Sequence, residues 1–101
     1  MSFKIIYHPE VLSDIQNAVD WYNGQQYGLG DRFHSTIKEH LDFLKNSASG
    51  FAIRYDEVHC MPIRKFPYMV HYRIDITHKI IKVEAILNTN RDHRKWGERK
   101  S

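Results

Sequence analysis

The sequence predicts an α+β domain of order β-α-α-β-β-β, with a helical hairpin packed on one face of a small, mostly antiparallel, twisted sheet. Three observations lead there. Two consecutive segments in the first half carry apolar residues at spacings of three and four, the period of a helix. Two segments in the second half alternate apolar and polar residues, the period of a half-buried strand. A short β-branched run, Phe3 to Tyr7, precedes them all and reads as a strand.

His8-Pro9-Glu10 ends that first strand and opens a helix, since proline is tolerated at the first helical position and a carboxylate suits the first turn. From Pro9 to about Asn23, Val11, Ile15, Ala18 and Tyr22 form one apolar stripe, widened by Leu12 and Val19. Asn23-Gly24 closes the helix, and Gln25 to Gly30 forms a glycine-broken loop. A second helix runs from about Leu29 to Asn46, with Phe33, Ile37, Leu41 and Leu44 on its apolar face. Each helix has a single apolar face, so the pair must cover a sheet.

After Ser47-Ala48-Ser49-Gly50, the stretch Ala52 to Ile63 reads as strand-rich, with Pro62 calling for an edge position because proline donates no ladder bond. Phe66-Pro67 marks a turn or strand entry. From Tyr68 to Ile76, Tyr68, Val70, Tyr72, Ile74 and Ile76 fall on one face, and Met69, His71, Arg73 and Asp75 on the other. After Thr77-His78-Lys79, Ile81, Val83, Ala85 and Leu87 are expected inward, with Lys82, Glu84 and Asn88 outward. The second face of the sheet is expected to be open and polar.

A chain of 101 residues, 42% apolar and 27% charged, has room for one core, so residues 1–101 read as a single folded domain and as the whole gene product. The start, Met1 to Tyr7, is too short and too soon interrupted for a signal peptide. No apolar run approaches the roughly 20 residues that cross a bilayer. Cys60, the one cysteine, has no partner for a disulfide or a Cys-based zinc site. These features predict a cytoplasmic protein that does not engage a membrane.

The basic C-terminal tail, 91–101, holds Arg91, Arg94, Lys95, Arg99 and Lys100 against Asp92 and Glu98, which equals the whole formal net charge of +3. Such a tail fits either an acidic partner or a solvated end that keeps the protein soluble. Trp96 lies among these cations and fits both a pin holding the tail to the sheet edge and part of a contact surface. Trp21, Tyr22 and Tyr27 read as core and hinge packing rather than a stacking platform for bases, and Tyr68 as packed under the helices. The seven histidines are scattered without a His-x-x-x-His pair. His59 and His71 are expected on neighbouring strands close to Cys60, but no metal or other cofactor is expected.

Several strings, in this order, resemble the RelE/ParE toxin superfamily, the ParE-like branch in particular. They are Asp20-Trp21-Tyr22 followed by Tyr27-Gly28-Leu29-Gly30 and Arg32-Phe33; then Arg64-Lys65-Phe66-Pro67-Tyr68 with Tyr72; then Arg91-Asp92 with Trp96 and Arg99. The resemblance covers nearly the whole chain. It implies the toxin of a type II toxin–antitoxin, or plasmid stabilization, system: a cytoplasmic inhibitor of growth, neutralised by a cognate antitoxin encoded beside it. RelE-like members cut messenger RNA on the ribosome, whereas ParE-like members are known for poisoning DNA gyrase.

Metal-independent RNA cleavage needs a base for the 2′-hydroxyl, an acid for the leaving oxygen and cations for the phosphate. His71 and Arg73 on the open face, with Arg94 beyond the last strand, are the catalytic candidates for such an endoribonuclease. Against it, family ribonucleases usually carry an arginine near the position of Met69 and a histidine or tyrosine at the end of the last strand. Here that end reads Asn88-Thr89-Asn90, and neither asparagine nor threonine serves as a general acid near neutral pH. Many ParE-like members have a histidine close to Asn88, so this chain departs from that pattern as well. The pattern therefore favours a toxin that binds a target such as gyrase, with Arg64, Asn88, Arg91, Lys95, Trp96 and Arg99 as target- or antitoxin-binding residues. A ribosome-dependent ribonuclease is the alternative, and a degenerate, non-toxic antitoxin-binding module is the second.

Overall fold

The computed structural model describes residues 3–89. Strand β1 (Lys4–Tyr7) leads into helices α1 (Val11–Gln25) and α2 (Leu29–Ser47), and a single 3-10 turn (Ala48–Gly50) follows. Then come β2 (Ile53–Tyr55), β3 (Val58–Pro62), β4 (Tyr68–Asp75) and β5 (Ile80–Asn88). The five strands form one sheet in the order β1-β5-β4-β3-β2, antiparallel except where β1 runs parallel to β5.

The helices close into a hairpin through a tight approach. Gly28 takes φ +81°, a left-handed conformation that glycine adopts without steric cost. Two residues later, the Gly30 N–H donates to Asn23 Oδ1 at 2.7 Å. A Cβ at Gly30 would lie 2.2 Å from the Val19 carbonyl oxygen, so only glycine lets α2 begin so close to α1.

Val11, Ala18 and Tyr22 of α1, and Phe33, Ile37, Leu41 and Leu44 of α2, are buried against Met61, Val70, Tyr72, Ile81, Val83 and Ile86 of the sheet. Each fully buried large apolar side chain contributes about 1.5–3 kcal/mol. At one end of this layer Tyr22, Phe33, Phe66 and Tyr68 form an aromatic cluster with ring centroids 5.0–6.1 Å apart. Tyr68 thus packs under the helices, as expected. The Tyr72 hydroxyl reaches across the layer and donates to the Ala48 carbonyl at 2.5 Å.

The sheet refines the sequence reading in three places. First, the stretch 52–63 is two strands. A two-residue turn at Asp56 (φ 42°) and Glu57 (φ 62°) folds β2 back on β3, the left-handed pair that suits the twist of a hairpin. Pro62 pairs with Met69 of β4, but its nitrogen faces the opposite side, past the end of β2, where no strand lies among the described residues. Its edge character is therefore local to the end of an inner strand.

Second, β5 carries a bulge. His71 pairs with Ala85 but Tyr72 pairs with Val83, leaving Glu84 as the extra residue. Both Glu84 and Ala85 then fall on the face away from the helices, and every later side chain changes sides. Ile86, not Ala85 or Leu87, joins the core. Asn88, expected outward, pairs with Tyr68 on the helix side. The buried Glu84, also expected outward, is 3% exposed.

Third, β4 ends at Asp75, where the carboxylate accepts the His78 N–H at 3.0 Å and opens a turn. Ile76 therefore leaves the apolar face and is 75% exposed. Trp21, Tyr27 and Leu12 are exposed too, so among the three aromatics of that region only Tyr22 is core.

Candidate functional site

The face of the sheet away from the helices is assembled by parity. Cys60 of β3 pairs with His71 of β4, which pairs with Ala85 of β5, so all three share a face. The β2–β3 turn brings Tyr55 and Asp56 over them. His71 is fully buried, and its Nδ1 lies 2.9 Å from the Tyr55 hydroxyl and 3.5 Å from Cys60 Sγ. Burial, with the nearby Cys60 and Glu84, pushes the Tyr55 hydroxyl up to about 12. Burial likewise pushes the Cys60 thiol up to about 11, against a small opposing pull from Arg54. Both groups keep their protons at neutral pH, so each is able to donate to Nδ1 when the imidazole proton is on Nε2.

Arg73, two residues along β4, donates from Nε to Glu84 Oε1 at 3.0 Å, and its guanidinium also bonds the Asp56 carbonyl. The Glu84 side chain is 4% exposed and that of Arg73 is 36% exposed. A buried carboxylate is tolerable only with such a partner. The expected open, polar face is thus a partly buried network linking β2, β4 and β5.

His59, expected beside His71 and Cys60, points the other way. Pleating sends alternate residues of β3 to opposite faces. His59 instead stacks on Tyr72 with centroids 5.2 Å apart and bonds the Phe51 carbonyl through Nδ1 at 2.6 Å.

Among the described residues, the remaining candidates, Arg64 and Asn88, do not converge on His71 and Arg73. Arg64 stands in the β3–β4 connection beside α2, where its guanidinium meets Glu39 Oε2 at 3.2 Å and its backbone N–H meets His40 Nε2 at 3.2 Å. Asn88 lines a groove of about 210 Å³ at the end of β5, with Asp14, Asn17 and Trp21 of α1. There Asp14 Oδ2 accepts the Ile86 N–H at 3.0 Å, tying α1 to the strand just past the bulge. Arg91, Arg94, Lys95, Trp96 and Arg99 lie outside the described residues.

Sequence reasoning missed Tyr55 and Glu84 as partners of His71 and Arg73, and Glu39 and His40 as the holders of Arg64. One signal was present for Glu84: the apolar run Ala85-Ile86-Leu87 breaks strict alternation, as a bulge requires. For the others, nothing local marks pairs that lie 16 to 25 residues apart in the chain.

Comparison with known proteins supplies the family. Residues 5–93 match the family model described as the ParE toxin of the type II toxin–antitoxin system parDE. No curated protein matches the chain. Among solved structures, the fold is similar to the chromosomal ParDE toxin–antitoxin system of P. aeruginosa, with a TM-score of 0.76 at 16% identity over 88% of this chain and 98% of that one. It is also similar to an E. coli RelE toxin variant in the free state (TM-score 0.66, 12% identity, 89% and 86% covered). The toxin–antitoxin complex RelBE2 of Mycobacterium tuberculosis contains a further similar chain (0.64, 14%, 87% and 99%). Among the described residues, no helix is long and apolar enough to cross a membrane.

Proposed function

From the premise that this chain belongs to the ParE toxin family of type II toxin–antitoxin systems, we propose that it arrests growth in the cytoplasm by binding DNA gyrase. A cognate antitoxin holds it inactive until released. The structurally similar P. aeruginosa and M. tuberculosis proteins come from a ParDE system and a RelBE2 complex, which supports an antitoxin partner for this chain.

The observation that carries target binding over RNA cleavage is the state of His71. A general base must come within hydrogen-bond reach of the proton it removes. His71 is fully buried, with Nδ1 held by Tyr55 and Cys60, and the adjacent cation Arg73 is already committed to Glu84. The end of β5 offers Asn88 and Thr89, neither of which exchanges protons near neutral pH. In this reading His71 and Arg73 shape the sheet. Arg64 and Asn88 contact the target or the antitoxin, together with Arg91, Lys95, Trp96 and Arg99 of the basic segment, which favours an acidic partner.

Induced expression without the antitoxin tests this, with total RNA and chromosome structure followed over minutes and gyrase supercoiling assayed with the purified protein. Intact messages, broken or over-condensed DNA and inhibited supercoiling are expected. Cleaved messenger RNA, abolished by combining His71→Ala, Arg73→Ala and Arg94→Ala, would overturn the proposal in favour of a ribosome-dependent endoribonuclease. Normal growth would instead leave an antitoxin-binding module that is not toxic.

A further inference from the structure

Away from the His71 network, a second histidine is held at both nitrogens. His40, on α2, faces a groove of about 360 Å³ lined by Glu39, Phe43, Phe51, Met61, Pro62 and Arg64. Its Nδ1 lies 2.7 Å from the Thr36 carbonyl oxygen, and its Nε2 lies 3.2 Å from the Arg64 backbone nitrogen. A carbonyl oxygen only accepts, so Nδ1 must carry the proton. A backbone N–H only donates, so Nε2 must offer its lone pair. One tautomer of the neutral ring satisfies both contacts, and the imidazolium satisfies only the first.

The segment it holds is conformationally loaded. Arg64 precedes Lys65, which sits at φ +71°, a left-handed backbone that a lysine rarely adopts. Phe66 then drops into the aromatic cluster, and the Pro67 carbonyl accepts the Thr89 N–H at 2.8 Å. The far end of this loop is thus anchored by packing and by β5. The near end is held by Glu39 on the Arg64 side chain and by His40 on its backbone, two consecutive residues of α2.

We propose that His40 is a positioning residue: its neutral imidazole latches the Arg64–Pro67 loop to α2, so that adding a proton at Nε2 releases Arg64 from its place on the surface. The consequence for activity rests on the reading above that Arg64 contacts the target; the latch itself does not. Protonation sets two donors against each other across the 3.2 Å contact between the ring and the Arg64 backbone. Among the described residues, the charged groups lining the groove with His40 are Glu39 from its own helix and Arg64 from the loop, and the β3 residues there are Met61 and Pro62. Glu39 already engages Arg64, so it partly offsets the new charge without restoring the lost acceptor. The groove is open to solvent, so the ring exchanges protons without unfolding of the domain.

Imidazole ¹⁵N shifts and the Arg64 amide signal, followed between about pH 5 and 8 where histidine ordinarily titrates, test the latch. For the unmodified protein, the Nδ1–H tautomer at neutral pH and an Arg64 amide that titrates together with His40 are expected. His40→Gln retains a side-chain oxygen to accept the Arg64 N–H, and should keep the amide latched while removing its pH dependence. His40→Leu should leave it unlatched throughout, with the latched fraction falling about threefold to tenfold, the ratio one net hydrogen bond sustains. An Nε2–H tautomer, or an Arg64 amide indifferent to the His40 titration, would overturn the proposal, and both readouts hold even if His40→Leu fails to fold. Inhibition of gyrase supercoiling at neutral pH should weaken similarly in His40→Leu and stay within about twofold in His40→Gln. If the parent protein does not inhibit gyrase, the functional reading fails while the NMR result still decides the latch.

Discussion

Strand β4 faces two different environments with alternate residues. Toward the helices it presents Tyr68, Val70, Tyr72 and Ile74, which meet apolar and aromatic side chains and a single carbonyl acceptor for the Tyr72 hydroxyl. Away from them it presents His71 and Arg73, which meet Tyr55, Cys60, Glu84 and the Asp56 backbone. Both faces bury their residues, yet by different physics. The helix side gains from surface removed from water, which is insensitive to the partner's identity as long as volume is kept. The other side gains little net free energy per bond and is costly to leave incomplete. One face therefore tolerates conservative exchange, while the other demands particular partners.

That contrast breaks most sharply under truncation of the helix face. Phe33→Ala should cost about 3–5 kcal/mol, read as a lowered denaturant midpoint, because it empties the centre of the aromatic cluster. A loss below about 1 kcal/mol would mean that the cluster is not a packed unit.

The opposite face should answer differently to single and paired changes. Arg73→Leu removes the Nε donor from the buried Glu84 carboxylate and should cost about 1–3 kcal/mol. Replacing both, Arg73→Leu with Glu84→Leu, should recover much of that loss, since an apolar pair leaves no buried charge. Additive losses in a double-mutant cycle would show that the two side chains do not act together.

The same face should also set the alkaline limit of stability. Tyr55 and Cys60 hold protons to about 12 and about 11 in the folded chain, above ordinary values of 10.0 and 9.0. Above pH 9 the unfolded chain binds fewer protons than the native one, so stability falls as pH rises. The contribution is complete below the ordinary values and is lost as pH climbs through about 11 and 12. Tyr72, raised by its own burial, adds a share from the helix side. Denaturant midpoints measured from pH 8 to 12 should decline in the parent, and more shallowly in Tyr55→Phe and Cys60→Ala. Equal slopes in all three would assign the alkaline loss elsewhere.

The smallest effect belongs to neither face. Glu39 and Arg64 form an exposed pair, their side chains 66% and 65% accessible. Glu39→Gln should change stability by less than about 1 kcal/mol, an effect that shrinks with added salt. A larger, salt-insensitive cost would mean that the pair contributes more than its exposure allows.

What the amino-acid order determined by itself is the part governed by short-range periodicity. Helical spacing at Val11, Ile15, Ala18 and Tyr22, and again at Phe33, Ile37, Leu41 and Leu44, selected the faces that the helices bury. Alternation from Tyr68 to Ile74 likewise selected the core face of β4, and Pro62 marked the end of β3, past its pairing with β2. What only the tertiary structure decided lies where one residue or one distant contact changes the outcome. The bulge at Glu84 reverses the parity of β5, bringing Ile86 into the core and Asn88 to the helix side. Pleating divides His59 from His71 although both flank Cys60 in the sheet. Arg64 is placed by Glu39 and His40, 24 and 25 residues away in the chain. A period of two or 3.6 is a property of the local backbone and can be read in order. A register shift or a long-range hydrogen bond depends on which strands and helices meet, and that is settled only when the whole domain closes.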